Sequence, residues 1–82
     1  MEKKLIHARL VSISGSLKGT VHAIEGGLLS LGRDLSNHVV MHDSAVSRKH
    51  CTVSEASIGV FELTDLDSHN GTFVNEVEVK RT

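Results

Sequence analysis

The sequence is poor in aromatic residues, with no tryptophan or tyrosine and only two phenylalanines, Phe61 and Phe73. A folded core must therefore be aliphatic, because aromatic side chains normally contribute the largest buried areas. Exposed rings on which nucleic-acid bases could stack are lacking as well. With 39% hydrophobic and 23% charged residues, the composition is nevertheless that of a folded globular protein.

The sequence also lacks an excess of charge of either sign. Its formal net charge is -1, so no overall basic field attracts nucleic acid or an anionic membrane, and any anion site must be local. The single cysteine, Cys51, cannot form an internal disulfide, which is typical of a reducing compartment. The apolar stretch Leu5–Ile13 is too short to span a membrane and does not resemble a signal peptide. We therefore predict a cytoplasmic protein.

Two segments, Val60–Asp65 and Thr72–Val79, alternate apolar and polar residues with the period of two that a half-buried strand requires. The side chains predicted to face the interior from these segments are Phe61, Leu63, Phe73, Val77 and Val79. Helical spacing of apolar residues is hard to find. At 82 residues, the chain is predicted to form one small domain over residues 1–82.

Short segments rich in Val, Ile, Leu and Thr are predicted to be further strands. These are Leu5–Ser14, Thr20–Ile24, Leu28–Arg33, Val39–Met41 and His50–Ser54. Asn70-Gly71 gives the strongest hairpin signal, although the residues at 65–69 before it favour a loop longer than two residues. The pattern predicts an all-β chain.

The stretch from Gly32 to Lys49 is mostly polar, with only Val39–Met41 as a hydrophobic anchor. Long polar loops on a β scaffold usually carry function, although a merely solvated loop would have the same composition. Three clusters of polar residues fall on such loops, at Gly32-Arg33, Ser47–His50 and Ser68–Thr72. If neighbouring strands bring these loops to one end of a sandwich, they form a small anion-binding rim.

The residue types in these clusters suit a phosphate on an extended peptide. Arg33 and Arg48 offer forked donors to phosphate oxygens, and Ser47 adds a hydroxyl donor. Asn70 has both an amide donor and an acceptor, so it can hold a peptide main chain, and Gly71 allows that main chain to come close.

Three blocks of the sequence resemble the signature of forkhead-associated (FHA) domains: "LGRD" at Leu31–Asp34, "SRKH" at Ser47–His50 and "DSHNGTFVN" at Asp67–Asn75. The family motif is Gly-Arg, then Ser-x-x-His, then Asn-Gly, and its order and approximate spacing match. The resemblance runs from Leu5 to the last residue. It implies an all-β, FHA-like (SMAD/FHA) two-sheet β-sandwich with functional loops at one end. It also implies a signalling module that binds phosphothreonine-containing segments, without a cofactor and without catalytic residues.

The resemblance assigns expected roles residue by residue. Arg33 and Ser47 would contact the phosphate, Arg48 would assist them, and Asn70 would hold the peptide main chain. His69 occupies a position that in many relatives helps to enclose the phosphothreonine methyl group, where a small hydroxyl residue is more familiar. Three residues would support the site, His50 by hydrogen bonds that tie the binding loops together and two glycines by permitting tight turns: Gly32, His50 and Gly71.

The sequence departs from the family pattern at its C-terminal end, where the usual last strands have no counterpart after Val79. The resemblance therefore implies either a truncated domain or a native chain whose missing strands come from a partner. Either case predicts an exposed sheet edge, which favours a homodimer or strand exchange. Family members are commonly regulatory attachments, so we expect the N-terminal regulatory domain of a larger protein such as a bacterial transcription activator. The alternative is a phosphorylation-independent protein-protein assembly module of the same fold.

Metal binding is not favoured by the sequence. Asp65, Asp67 and Glu76 match three positions of a calcium loop, but its glycine would be one place late and predicted strands flank it. His38 and His42 have helical spacing in a segment predicted to be strand and loop, without a further zinc-ligand motif.

Catalysis is not favoured either. Ser47 and His50 tend to face opposite ways on an extended segment, and no orienting acid accompanies them. Cys51 alternates with Val53 on a predicted strand and is expected to be a buried core thiol. We therefore predict a binding module with no metal and no enzymatic activity.

Overall fold

The computed structural model describes residues 8–24 and 26–80, and every regular element within them is a strand. No helix in this part of the chain is long and apolar enough to cross a membrane. The strands are β1 (Ala8–Val11), β2 (Val21–Ile24), β3 (Leu28–Gly32), β4 (Val39–Val40), β5 (Cys51–Ser57), β6 (Val60–Asp65), β7 (Thr72–Val74) and β8 (Val77–Val79).

A four-stranded sheet with the order β4-β3-β5-β6 is the centre of the structure. Strand β5 pairs antiparallel with both β3 and β6, whereas β3 and β4 run parallel. The register places Leu31 opposite Cys51, and Val53 opposite both Leu29 and Leu63. Residues directly opposite each other share a face of a sheet, so these five residues form one apolar face.

Two hairpins, β1–β2 and β7–β8, pack over the sheet's apolar face. Leu10 of β1 and Val74 of β7 line one apolar cavity together with Leu31, Val53 and Leu63 of the sheet. Side chains from the sheet and from both hairpins therefore meet in a common interior. This arrangement confirms the predicted all-β sandwich.

The core between these layers is thin. Leu29, Val39 and Cys51 are its buried apolar residues among those described, with exposures of 5%, 4% and 8%. The burial of the Cys51 thiol confirms its predicted place in the core. No large residue in the described ranges, counted with its main chain, falls below 2% exposure, so the interior is only partly closed.

The segment predicted as a single strand over Thr72–Val79 is instead a hairpin, and that prediction is wrong. Asn75 and Glu76 have φ angles of 51° and 70°, and the flanking Val74 and Val77 are paired. Two left-handed residues between paired strands form the tight turn that suits the twist of a hairpin. The turn reverses the chain, so the predicted inner face is also wrong: Phe73 is 58% and Val77 64% exposed.

The other strand predictions differ mainly in their ends. Val60–Asp65 is confirmed as β6, and the strand predicted over Leu5–Ser14 is present as Ala8–Val11, with residues 5–7 outside those described. Asn70-Gly71 does not close a hairpin, because β6 pairs with β5 whereas β7 pairs with β8. The longer loop that the sequence favoured there, 66–71, connects the sheet to the second hairpin.

Candidate functional site

Three loops carry the predicted site residues: the β3–β4 loop (33–38), the β4–β5 loop (41–50) and the β6–β7 loop (66–71). The first two are joined through their main chains. Arg33 N donates to Ser47 O and Asp34 N donates to Arg48 O, each at 3.0 Å, next to a bond from His50 N to Leu31 O. These bonds extend the pairing of β3 with β5 beyond the ends of the strands. The Gly-Arg and Ser-x-x-His blocks are therefore held side by side.

Arg33 is fixed at the base of its guanidinium group. Its Nε donates to the carbonyl of Val46 at 3.1 Å. Its two terminal amino groups donate no hydrogen bond to residues 8–24 and 26–80. Arg33 and Arg48 line one open pocket together with Asp34 and Leu35. Two guanidinium groups at one open pocket offer several charge-assisted donors to an anion.

Ser47 connects the second loop to the third. Its Oγ accepts a hydrogen bond from the main-chain N of His69 at 2.9 Å. Because the hydroxyl oxygen acts as the acceptor in this bond, its own proton can be donated to another group.

Asn70 makes a second connection between these loops. Its Nδ2 donates to the carbonyl of Ala45 at 2.8 Å, which uses one of the two amide hydrogens. The side chain is exposed, and its Oδ1 has no hydrogen bond to the described part of the chain. One donor and one acceptor of the exposed Asn70 side chain therefore have no hydrogen bond to the described part of the chain.

His50, the last residue of the β4–β5 loop, bonds within its own loop and to the β6–β7 loop. Its Nδ1 accepts from the main-chain N of Ser47 at 3.1 Å, and its Nε2 lies 2.9 Å from the carbonyl of Gly71. A carbonyl can only accept, so Nε2 carries the proton and the neutral ring satisfies both bonds at once. Gly71 itself has a φ of 86°, which an L side chain rarely adopts.

Asn37 was not singled out by the sequence, yet it is one of the buried polar residues, with 7% exposure. Its Nδ2 donates to the carbonyls of Asp34 and Arg48, both at 2.8 Å. Its position in the polar stretch after Gly32 gave a general signal of function. Which polar side chain of that stretch is buried could not be read from residue types.

Gly32 does not form the tight turn predicted for it. It is the last residue of β3 and is not among the glycines with positive φ. A Cβ atom at this position would collide with the carbonyl oxygen of Arg48 and lie 2.8 Å from Asn37 Nδ2. Glycine is required here because the neighbouring loop passes directly over the strand.

The β6–β7 loop is organised around Asp65, whose side chain is 0% exposed. Its carboxylate accepts from the hydroxyl of Ser68, from the main-chain N of Ser68 at 3.1 Å and from Thr72 Oγ1 at 2.7 Å. The hydrogen bonds from Ser68 and Thr72 lower the pKa of Asp65 from 3.8 to about 2. Burial and the charge of Asp65 in turn raise the pKa of the Cys51 thiol.

Two of the residues weighed as metal ligands, His38 and Asp65, make other contacts in the structure. Within residues 8–24 and 26–80, no group of three or more His, Cys, Asp and Glu side chains is placed to hold a metal ion. The ring Nδ1 of His38 accepts from the main-chain N of Ser30 at 2.9 Å, so His38 supports strand β3. Asp65, weighed as a calcium ligand, instead bonds to the backbone of its own loop.

The structure thus brings the predicted residues Arg33, Ser47, Arg48 and Asn70 onto loops that are bonded to one another. His69 contributes its main-chain N to Ser47, while its exposed side chain makes no hydrogen bond within the described ranges. Their roles toward a ligand stay predictions at this point.

Comparison with known proteins points to one family. The family model described as the FHA domain matches residues 29–82, whereas a search of curated proteins found no significant match. A solved structure from work on phosphothreonine-dependent FHA domain interactions is similar, with 31% identity and a TM-score of 0.80, covering 90% of this chain and 74% of that one.

Two further FHA domain structures are similar. The FhaA FHA domain, complexed with the intracellular domain of Rv3910, has 31% identity and a TM-score of 0.72, covering 78% of this chain and 69% of that one. The FHA-2 domain of the Mycobacterium tuberculosis ABC transporter Rv1747 has 33% identity and a TM-score of 0.60, covering 100% of this chain and 66% of that one.

Proposed function

The chain belongs to the FHA domain family, and from that premise we propose that it is a signalling module that binds a phosphothreonine-containing segment of a partner protein. The observation that carries the proposal is the joining of three loops at one end of the sheet. Arg33 and Arg48 line one open pocket there, Ser47 precedes Arg48 on the same loop, and Asn70 lies on the β6–β7 loop that is hydrogen-bonded to it. The proposed activity is binding, with no chemical step and no cofactor.

The phosphate is held by donors of two kinds. A phosphothreonine carries a charge of about −1.5 to −2 near neutral pH and three acceptor oxygens. The terminal amino groups of Arg33 and the guanidinium of Arg48 supply charge-assisted hydrogen bonds. The Ser47 hydroxyl donates its proton to a third phosphate oxygen, which can only accept, while the Ser47 oxygen accepts from His69 N. The side chain of His69 lies beside the threonine methyl group.

Asn70 binds the peptide rather than its phosphate. Its bond to Ala45 fixes the amide, and its remaining N–H and Oδ1 pair with the carbonyl and N–H of an extended main chain. Such a contact does not depend on the side chains of the partner. The relative from work on phosphothreonine-dependent interactions, at 31% identity, supports the same class of ligand for this chain.

The direct test is calorimetric titration of the chain with a library of phosphothreonine peptides and with their unphosphorylated twins. We expect measurable affinity for phosphorylated peptides alone. Equal affinity for both members of a pair would refute the proposal and would favour the phosphorylation-independent assembly module.

A substitution of Arg33 isolates the phosphate contact. Arg33→Ala should weaken binding of the phosphorylated peptide about 10- to 150-fold, because a hydrogen bond to a charged group contributes about 1.5–3 kcal/mol. Thermal stability should change little, since the side chain is exposed. Arg9→Ala is the matched control, because it removes the same charge from strand β1, which pairs with β2. An Arg33 variant that unfolds would assign this arginine a structural role instead.

The proposal extends to the cellular context expected from the sequence. In it, residues 1–82 form one cytoplasmic domain that serves as the N-terminal regulatory part of a larger protein, such as a bacterial transcription activator. A sheet edge beside β1 offers a route to a homodimer or strand exchange. The coding sequence beyond Thr82 tests the first expectation. Light scattering tests the second, and a strictly monomeric, cooperatively unfolding chain would contradict it.

A further inference from the structure

We propose that Asn37 is a positioning residue, which holds the β3–β4 and β4–β5 loops in the arrangement that phosphate binding requires. The inference rests on the proposed function for its ligand, whereas its geometrical basis is independent of that function. Asn37 does not itself line the open pocket, which is lined by Arg33, Asp34, Leu35 and Arg48.

Both hydrogens of the Asn37 amide are used between these loops. Nδ2 donates to Asp34 O and to Arg48 O, each at 2.8 Å, and an amide nitrogen has only two hydrogens to give. Asp34 follows Arg33 in the chain, so each acceptor belongs to a pocket arginine or to its immediate neighbour. The main-chain N of Asn37 adds a third bond, to Asp34 O at 3.1 Å. One buried residue thereby fixes the backbone beneath both guanidinium groups.

The orientation of this amide follows from its acceptors. Turning it over would place Oδ1 against two carbonyl oxygens and break both bonds. In the observed orientation Oδ1 is buried without a hydrogen-bond partner among the described residues. A buried unsatisfied oxygen costs free energy, and an apolar side chain in this place would avoid that cost. The two donated bonds are what offsets it.

Because Gly32 has no side chain, it leaves room for the Asn37 amide. A Cβ atom there would lie 2.8 Å from Asn37 Nδ2 and would collide with Arg48 O. Asn37 therefore packs against Gly32 and bonds to Asp34 and Arg48. These contacts define a single rigid unit from which both arginine side chains extend.

A rigid unit of this kind matters because Arg33 and Arg48 carry charges of the same sign. Like charges repel each other until an anion lies between them. A backbone fixed in advance keeps the donors in place and reduces the ordering that binding would otherwise require. Removing the Asn37 amide should thus weaken phosphate binding although both arginines are intact.

The test compares Asn37→Ala with Val39→Ala in the 82-residue chain. Val39 is 4% exposed, so its truncation also destabilises the fold but leaves the bonds to Asp34 and Arg48 in place. The probe is the tightest phosphothreonine peptide from the library titration, measured well below the melting temperature of each variant. We expect Asn37→Ala to lose about tenfold in affinity, which corresponds to about 1.4 kcal/mol, and Val39→Ala to bind as the unsubstituted chain does.

Equal affinities of the two variants would overturn the inference. If Asn37→Ala does not fold, Asn37→Ser keeps one hydroxyl donor for a single carbonyl and should show a smaller loss than tenfold. A serine variant with full affinity would overturn the inference as well.

An NMR measurement tests, without any ligand, whether the Asn37 amide holds the two loops. Hydrogen exchange of the Asp34 amide, which is donated to Arg48 O, and of Arg33 Nε–H, which is donated to Val46 O, should be faster in Asn37→Ala. Exchange of these two groups should speed up less in Val39→Ala, where only the contribution of global unfolding rises. If the unsubstituted chain binds no phosphothreonine peptide, the proposed function fails, and this comparison still decides whether Asn37 holds the loops. Unchanged exchange at both groups in Asn37→Ala would overturn the inference.

Discussion

At the loop end of the molecule, side chains reach across to the backbone of neighbouring loops, whereas in the described interior only Leu29, Val39 and Cys51 are buried apolar residues. The loop end is ordered by directional contacts. Examples that join separate loops are the contacts of Arg33 with Val46 O, of Ser47 Oγ with His69 N and of Asn70 with Ala45 O. The interior is held together by the burial of apolar area, which is limited, since apolar residues of the two hairpins such as Val11, Val21 and Phe73 keep exposures of 53–58%.

Fold stability and the geometry of the three loops are thus supplied by separate parts of this chain. Burial of apolar area stabilises the fold in rough proportion to the area removed from water. Because the interior is only partly closed, we expect a small free energy of unfolding. Hydrogen bonds between loops add less free energy each, but they fix positions and directions. Substitutions in the interior should accordingly change unfolding, and substitutions at the loop end should change affinity.

The free energy of unfolding should respond most strongly to truncation of a buried interior side chain. Leu29→Ala should lower the free energy of unfolding by about 2–5 kcal/mol, because it removes a buried side chain and leaves a cavity. Leu29 is 5% exposed and lies opposite Val53 within the sheet. Chemical denaturation gives the loss, and titration at low temperature should give an unchanged peptide affinity for the folded fraction. A large loss of affinity would show that the two regions are coupled.

Gly32→Ala should affect both regions and so tests where they meet. The new methyl group collides with Arg48 O and crowds Asn37 Nδ2, and overpacking of this kind costs about 1–3 kcal/mol of stability. Displacement of Arg48 should also weaken binding of the phosphothreonine peptide.

Gly19→Ala provides the control for that change. It meets no atom within 4 Å at a φ of +90°, so it costs backbone strain of about 1–2 kcal/mol without touching the loops of the site. Its peptide affinity should be unchanged. Equal affinity losses in the two alanine variants would contradict the role assigned to the contact between Gly32 and Arg48.

The sequence was informative where local patterning decides the structure. The alternation over Val60–Asp65 predicted β6 to the residue, and Cys51 was placed correctly in the core. The alternation over Thr72–Val79 failed because apolar residues continue on both sides of a two-residue turn. Asn75, a residue type that tolerates left-handed φ, was the one local signal of that turn.

The sequence predicted which residue types the candidate site should contain, but it did not predict which residues support the loops of that site. Arg33, Ser47 and Asn70 stand in motif blocks that carry their own signal. Asn37 and Asp65 do not, because their importance arises from burial and from partners 11 and 7 residues away. Only the folded structure shows that one amide and one carboxylate hold the loops on which those motif residues lie.

The acid dependence of stability tests the support of the third loop. The pKa of Asp65 is lowered to about 2 in the folded chain from an ordinary value of 3.8. Folding thus favours the ionised form, and its contribution is complete above about pH 4 and is lost as the pH falls toward 2. Denaturation curves over this range should show that loss in the unsubstituted chain. Asp65→Asn should flatten it and should cost about 1 kcal/mol at neutral pH.

Lys80→Ala is the control for this acid dependence. Lys80 lies 3.7 Å from Asp65 with a side chain that is 70% exposed, and an exposed cation contributes little. The variant should keep the acid dependence of the unsubstituted chain, because the hydroxyl bonds from Ser68 and Thr72 are the larger causes of the lowered pKa. A flattened curve in Lys80→Ala would assign the effect to the ion pair instead.

The smallest expected effect is a gain, at the turn of the β7–β8 hairpin. Glu76 has a φ of 70°, so replacing it by glycine removes backbone strain of about 1–2 kcal/mol. Glycine also loses more conformational entropy on folding, which costs roughly 0.5–1 kcal/mol. Glu76→Gly should therefore raise the free energy of unfolding by about 0.5 kcal/mol. Asn75→Gly should gain less, because asparagine tolerates this conformation. Since the turn shares no hydrogen bond with the three loops in the described chain, peptide affinity should stay unchanged in both variants. A shift in affinity would show that the hairpin positions the β6–β7 loop. Stability and loop geometry would then not be supplied by separate parts of the chain at strand β7.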